Sequence, residues 1–187
     1  MAAGKTSGKR RAIFLDRDGV LVRDKDYVYK VADLEILPGV PSALKSLRAK
    51  GFLLISVTNQ SGIGRGYYSL ADTFEFHRAL QSQLAKSAET TIDAFYICPH
   101  HPEASVKEYR VACSCRKPGP QMVLDAAKDW DIDLAGSYFV GDKTSDIDCA
   151  IAAGVRGIQV MGGGKDKAHP KAIATVEDLA AAVKKIS

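Results

Sequence analysis

Ala12-Ile13-Phe14-Leu15-Asp16-Arg17-Asp18-Gly19 is the stretch that decides how this chain is read. Four apolar residues stop abruptly at a carboxylate, as in a short strand buried on both faces whose end meets a polar site. Working outward, the same pattern recurs. Phe52 to Val57 is a second apolar run that stops at Thr58-Asn59-Gln60, and Tyr138-Phe139-Val140 is another that stops at Gly141-Asp142. Ile92 to Ile97 runs into a segment rich in Cys and His, and Val155 to Val160 is a fifth candidate strand. Between them lie helical spacings. Leu44 and Leu47 mark Pro41 to Lys50, which closes on Gly51, and Ser69-Leu-Ala-Asp72 caps a helix carrying Phe76, Leu80 and Leu84 to about residue 87. Met122, Val123, Ala126 and Ala127 follow Pro118-Gly-Pro120. Ser145 to Ala153 closes on Gly154, and Thr175-Val-Glu-Asp178 reads as the start of a last helix.

Strands alternating with helices predict an α/β fold: a three-layer, Rossmann-like parallel sheet with helices on both faces. In such sheets ligands bind beyond the carboxyl ends of the strands. Asp16, Thr58 and Asp142 are therefore expected to converge on one crevice.

The 187 residues fit one domain, since domains commonly run about 100–200 residues. With 46% hydrophobic and 26% charged residues, the composition is that of a soluble protein with a real core. No run approaches the roughly 20 apolar residues a membrane span needs, and the basic start of the chain has no apolar segment to make it a secretory signal. A cytoplasmic location with no membrane contact follows as the expectation. The net charge of +4 draws on Lys5, Lys9, Arg10 and Arg11, and on Lys184 and Lys185 near the other end. Residues 1–11 thus read as a disordered basic leader and 12–187 as a single domain. No basic stripe interleaved with aromatics appears, so nucleic acid is not an expected partner. Nothing marks an obvious interface, and a monomer is expected.

The strand-end residues suit phosphoryl chemistry. Asp16, Asp18 and Asp142 are hard oxygen ligands of the kind magnesium takes together with a phosphate oxygen. A carboxylate can be phosphorylated as a nucleophile, provided cations and donors balance the transferring group. Lys117 supplies the charge and Thr58 a hydroxyl, while Asp18 is placed to protonate a departing alkoxide and then to deprotonate water. Cys98, Cys113 and Cys115, together with His100 or His101, form a four-ligand N/S set with no vacancy. That composition favours a structural zinc, whereas the oxygen-rich site favours magnesium. Cys149 reads as a small core residue.

Four ordered segments carry a resemblance: Phe14-Leu-Asp16-Arg-Asp18-Gly19, Val57-Thr58-Asn59-Gln60-Ser61-Gly62, Arg116-Lys117-Pro118 and Gly141-Asp142-Lys143-x-x-Asp146. The chain resembles the phosphatase branch of the haloacid dehalogenase superfamily across about residues 12 to 160. Within it, Thr58-Asn-Gln-Ser-Gly-Ile-Gly-Arg-Gly66 and Cys98-Pro-His-His-Pro-Glu103, with Cys113-x-Cys-Arg-Lys-Pro118, resemble the heptose-bisphosphate phosphatases. Their sibling group is the histidinol-phosphate phosphatases.

The resemblance implies Asp16 as nucleophile, Asp18 as acid/base, and Thr58 and Lys117 as holders of the phosphoryl group. Magnesium would be bound by Asp16, Asp142 and the backbone carbonyl of Asp18, and zinc by Cys98, His100, Cys113 and Cys115. Substrate contacts would come from Asp24, Tyr27, Thr58, Asn59, Gln60, Ser61, Arg116, Lys117 and Lys143. The implied reaction removes the 7-phosphate of a heptose 1,7-bisphosphate during synthesis of lipopolysaccharide or surface-glycan precursors. The weighed alternatives are histidinol-phosphate hydrolysis and a zinc-stabilised, non-catalytic binding module. About forty residues separate Asp16 from Thr58 and they already contain a helix, so no cap domain is expected.

Overall fold

Six short strands build one sheet: β1 (Ala12–Leu15), β2 (Leu53–Asn59), β3 (Ala94–Cys98), β4 (Tyr138–Gly141), β5 (Arg156–Val160) and β6 (Ala174–Val176). A computed structural model describes residues 8–162 and 166–187. Across the sheet the order is β3-β2-β1-β4-β5-β6, and every neighbouring pair is parallel. The chain winds outward from β1 through β2 to β3, then returns to the other side of β1 as β4. The carboxyl ends of β1 and β4 therefore flank the point where the winding reverses, which is where open α/β sheets bind ligands.

The helices are α1 (Val40–Ala49), α2 (Ser61–Gly64), α3 (Leu70–Ala88), α4 (Gln121–Trp130), α5 (Thr144–Ala152) and α6 (Leu179–Val183). Alternation along β1 sorts them into layers. Ile13 and Leu15 pack with Leu44 and Leu47 of α1, Phe76, Leu80 and Leu84 of α3 and Leu179 of α6. Ala12 and Phe14 point the other way, onto Met122 and Val123 of α4 and Ala150 of α5. The expected three layers are thus present. Phe76, Leu80 and Leu84 are each fully buried, and each such burial contributes about 2 kcal/mol. The α3 start is the expected capping box: Asp72 N donates to Ser69 Oγ (3.1 Å), and Ser69 N donates back to Asp72 Oδ2 (2.7 Å).

Three expectations are corrected. The last helix does not begin at Thr175. Ala174–Val176 pairs with β5 as an edge strand, and the helix starts three residues later, where Asp178 Oδ1 accepts from Ala181 N (2.7 Å). The third strand starts at Ala94 rather than Ile92, because the Asp93 carboxylate takes the Leu54 N–H (2.7 Å) that a strand carbonyl would have taken. Arg10 and Arg11, expected within the leader, are docked. Arg10 bridges Ile132 in parallel fashion, and the Arg11 guanidinium lies 4.3 Å over the Phe52 ring. Both docked arginines belong to the folded body; residues 1–7 lie outside the described residues, as do Gly163 and Gly164 of the expected 162–164 loop.

Among the described residues, only one-turn helices interrupt the loops that follow β1, β2 and β3: Val31–Asp33, Ser61–Gly64 and Lys107–Tyr109. Among the described residues these three loops hold no larger folded element. No described helix is long and apolar enough to cross a membrane.

Candidate active site

Asp16 stands one residue past β1, only 4% exposed. Its Oδ1 accepts from the Arg17 N–H (2.7 Å) and from Lys117 Nζ (2.9 Å). Lys117 reaches the same crevice from the loop before α4. Its ammonium also contacts Asp146 Oδ1 (2.6 Å) and donates to the Val57 carbonyl (3.0 Å). Burial alone would lower the pKa of this ammonium, but the attraction of Asp146 and then Asp16 outweighs it and holds the lysine charged.

Two side-chain clamps fix that lysine's backbone. Asn59 Nδ2 donates to the Lys117 carbonyl (3.1 Å), and Asn59 Oδ1 accepts from Lys117 N (3.0 Å). Asn59 thus staples the end of β2 to the Lys117 loop. Both ends of its amide are engaged by the Lys117 backbone, beside the substrate contact expected of it.

Gln60 is engaged in the same way. It is 2% exposed; its amide nitrogen donates to Asp18 Oδ2 (3.0 Å) and Thr58 Oγ1 (2.9 Å), and its oxygen accepts from Tyr68 OH (2.7 Å). Ser61 opens α2, half-buried.

Asp18 faces a different partner from Asp16. The fully buried Arg17 guanidinium grips it with two bonds, Nε to Oδ1 and Nη2 to Oδ2, both 2.9 Å. Arg17 is in turn seated on Phe76 at 4.7 Å and donates to the Val28 carbonyl (2.8 Å). Burial raises the Asp18 carboxyl above its ordinary range, and Arg17 offsets only part of that rise. Sequence reasoning gave Arg17 no role; a cation wedged between two carboxylates was the available signal.

Asp142, at the end of β4, is 2% exposed, and its Oδ1 has no hydrogen-bond partner. Asp16, Asp142 and Asp146 bring carboxylate oxygens within 4.8 Å of one another. Burial and the neighbouring Asp16 push the Asp142 carboxyl up, and burial likewise raises Asp146 against the pull of Lys117. Such a cluster fits a hard divalent cation, which would relieve the repulsion and take up the orphaned oxygen.

Gly19 makes room for this approach. Its φ is +82°, and a Cβ there would sit 2.5 Å from Asp142 Oδ2. Asp146, which the magnesium set read from the sequence did not include, also caps α5 through Lys143 N to Oδ2 (3.0 Å). The Lys143 side chain projects to the mouth of the crevice, 3.5 Å from exposed Asp24.

Beyond the crevice, the four expected soft ligands meet. Cys98 Sγ lies 3.2 Å from Cys115 and 3.6 Å from Cys113; Cys115 lies 3.1 Å from Cys113 and 3.2 Å from His100 Nδ1. A tetrahedral zinc with sulfur at about 2.3 Å needs edges of about 3.7 Å, so the set fits with slight expansion. His101 is not in this cluster. Its Nε2 lies 3.2 Å from Arg65 Nη2, and burial, then Arg116 and Arg65, lower its pKa. Arg116 Nη1 donates to the His100 carbonyl (3.3 Å). Cys149 is buried in the core, its thiol toward the Gly119 carbonyl (3.3 Å).

A HAD-hydrolase-like family model matches residues 114–183. The chain is 42% identical over 154 residues to D-glycero-beta-D-manno-heptose-1,7-bisphosphate 7-phosphatase of Rhodopseudomonas palustris, covering 82% of this chain and 85% of that one. It is 46% identical over 147 residues to D-glycero-alpha-D-manno-heptose-1,7-bisphosphate 7-phosphatase of Burkholderia mallei, covering 79% and 77%. The crystal structure of D,D-heptose 1,7-bisphosphate phosphatase from B. bronchiseptica, complexed with magnesium and phosphate, superposes with a TM-score of 0.81 at 33% identity. It covers 94% of this chain and 97% of that one. With this identity sustained over most of both chains, and the same sheet beneath it, the chain belongs to the heptose-bisphosphate phosphatase family of HAD-like hydrolases.

Proposed function

We propose that the protein hydrolyses the 7-phosphate of D-glycero-D-manno-heptose 1,7-bisphosphate through a phospho-aspartate on Asp16. The observation that carries the chemistry is the buried Lys117 ammonium shared by Asp16 and Asp146. It leaves Asp16 Oδ1 engaged and Oδ2 without a protein donor among the described residues, which makes Oδ2 the attacking atom. Oδ2 bonds to phosphorus as the bond from phosphorus to the sugar oxygen breaks. Asp18, whose pKa is raised by burial, gives its proton to that oxygen and then takes one from the water that splits the acyl phosphate. Thr58 and Lys117 hold the phosphoryl oxygens, and backbone amides after Asp16 and Thr58 add donors.

Magnesium would be held by Asp16 and Asp142, with the Asp18 carbonyl that the family resemblance implies, and Asp146 has a carboxylate oxygen within 4.8 Å of both side chains to support the site. It would neutralise phosphate charge that otherwise repels the nucleophile. Zinc at Cys98, His100, Cys113 and Cys115 would anchor the loop immediately before Arg116 and Lys117, and so fix where those cations point.

Substrate contacts are assigned to Asp24, Tyr27, Thr58, Asn59, Gln60, Ser61, Arg116, Lys117 and Lys143. Arg65, Arg116 and Lys143 offer further cations, which suit a second phosphate better than an ammonium and favour the bisphosphate over histidinol phosphate. We place the protein in the cytoplasm as a monomer whose partner is a small phosphorylated sugar, without nucleic acid or membrane.

The test is a substrate panel with magnesium. It comprises both anomers of heptose 1,7-bisphosphate, histidinol phosphate, fructose 1,6-bisphosphate and a 3′-phosphorylated oligonucleotide. The heptose bisphosphate is expected to lead, and Asp16→Asn to abolish its turnover. A lead for histidinol phosphate would overturn the substrate, and retained turnover in the variant would overturn the nucleophile.

A further inference from the structure

Two aromatic pairs fasten the loop after β1 to the segment between α2 and α3, and they differ in what they do. In the inner pair, Tyr29 and Tyr68 stack with ring centroids 4.7 Å apart at 17°. Tyr68 is 7% exposed, and its hydroxyl braces Gln60, which braces Asp18 and Thr58. The inner pair is therefore spoken for.

The outer pair is Tyr27 and Tyr67, set edge to face with centroids 4.9 Å apart at 82°. Tyr27 is 42% and Tyr67 54% exposed, and the described residues give neither hydroxyl a hydrogen bond. Little of either ring is used to build the core.

The backbone under Tyr27 makes this arrangement costly to hold. Asp26 has φ +52° and Tyr27 φ +62°, two successive non-glycine residues in the left-handed region. Asp26 N donates to Asp24 Oδ1 (3.1 Å), Asp24 faces Lys143 Nζ at 3.5 Å, and Tyr27 leans on Tyr67. A strained turn held this way, with its aromatic ring left at the surface, aims that ring instead of burying it. Tyr67 precedes Tyr68 by one residue and Tyr27 precedes Tyr29 by two, so the exposed pair borders the buried pair that braces Gln60. Arg65, two residues before Tyr67, puts cationic charge on the same segment, facing His101 of the loop that carries the soft-ligand cluster.

We propose that Tyr67 is a specificity-determining residue: with Tyr27 it forms an apolar wall that receives the C–H face of the substrate's sugar, while Arg65, Arg116 and Lys143 take its charge. Aromatic faces are the natural partner of a sugar's C–H surface, because the ring buries apolar area without competing for the hydroxyls. With only one-turn helices among the described residues of the loops after β1, β2 and β3, selectivity for the carbon skeleton falls to such loop residues. The proposal rests on the reading of a phosphorylated sugar as substrate.

The test compares wild type, Tyr67→Ala and Tyr67→Phe on two substrates. Heptose 1,7-bisphosphate spans the cradle and the wall, whereas acetyl phosphate reaches only the cradle. Tyr67→Ala is expected to raise KM for the bisphosphate about tenfold with kcat within about twofold, from the loss of one aromatic contact. It should leave kcat/KM for acetyl phosphate unchanged, and Tyr67→Phe should behave as wild type on both. A KM shift below about twofold, or an equal loss on both substrates as a mere brace would give, overturns the role of Tyr67 alone. Wild-type preference for histidinol phosphate over any sugar overturns the substrate reading and the sugar wall with it.

Discussion

Gly19 sets how closely Asp142 can approach the end of β1. Adding a methyl group there combines left-handed strain of about 1–2 kcal/mol with a collision against the Asp142 carboxylate. Gly19→Ala is expected to lower stability by about 2 kcal/mol or more and to weaken magnesium dependence at least tenfold, read from a thermal melt and a magnesium titration of activity. His77 makes a pH prediction. It is buried beneath Arg17 and stacked on Phe95 at 4.1 Å, and burial followed by the Arg17 charge lowers its pKa to about 3. The unfolded chain therefore takes up this proton first, so the contribution is intact above about pH 6.5 and is lost as pH falls toward 3. That loss should run at about 1.4 kcal/mol per pH unit. The buried carboxyls with raised pKa values act in the opposite sense, so the observable is the difference in slope between wild type and His77→Gln, measured by denaturant titration from pH 7 to 5. The variant should have the flatter acid limb, and equal slopes would refute the assignment. At this scale the sequence was legible wherever a polar residue interrupted an apolar run, as at Asp16, Thr58 and Asp142. Arg17 and Asn59 were not legible in the same way. Nothing local distinguishes an arginine that points inward, or an amide that spans 58 residues to its partner.

At the scale of elements, the loop between β3 and α4 is where two predictions meet. The Asn59 staple joins its end to β2, so Asn59→Ala leaves the Lys117 N–H and carbonyl without their partners. Stability should fall by about 1–3 kcal/mol, and kcat more than KM should suffer, because Lys117 loses its aim. The other end is gathered by Cys98, His100, Cys113 and Cys115. Removing zinc with a chelator while magnesium is kept should lower kcat and loosen the 99–116 segment, read by its amide hydrogen exchange; full activity in verified zinc-free protein would refute the coupling. The elements that periodicity could find were found, since α3 and α4 have apolar faces and clear starts. β6 escaped because three residues carry no period, and the carboxylate that caps α6 lies just beyond a Thr that imitates a cap.

For the whole molecule, one sheet with a core on each face implies one cooperative unit. Fluorescence of Trp130, which packs on the α4 side, and far-UV circular dichroism should report coincident melting, and two separated transitions would contradict this. Truncation through Lys9 should leave that melt unchanged, whereas truncation through Arg11 should lower it, since Arg10 and Arg11 are docked. The layer order was legible from the alternation of strands and helices; the extent of the docked N-terminus was not, because a basic run looks the same whether it is solvated or lies over an aromatic ring. The loops after β1, β2 and β3 have a kinetic meaning as well. If the one-turn helices found among the described residues of these loops are all that borders the site, no closing step limits turnover, which should then not slow with solvent viscosity beyond the slowing of diffusion itself. A phospho-aspartate formed on Asp16, which is itself only 4% exposed, would have to be split by water that enters between those loops, so their packing rather than a closing motion would set how readily water competes with other acceptors.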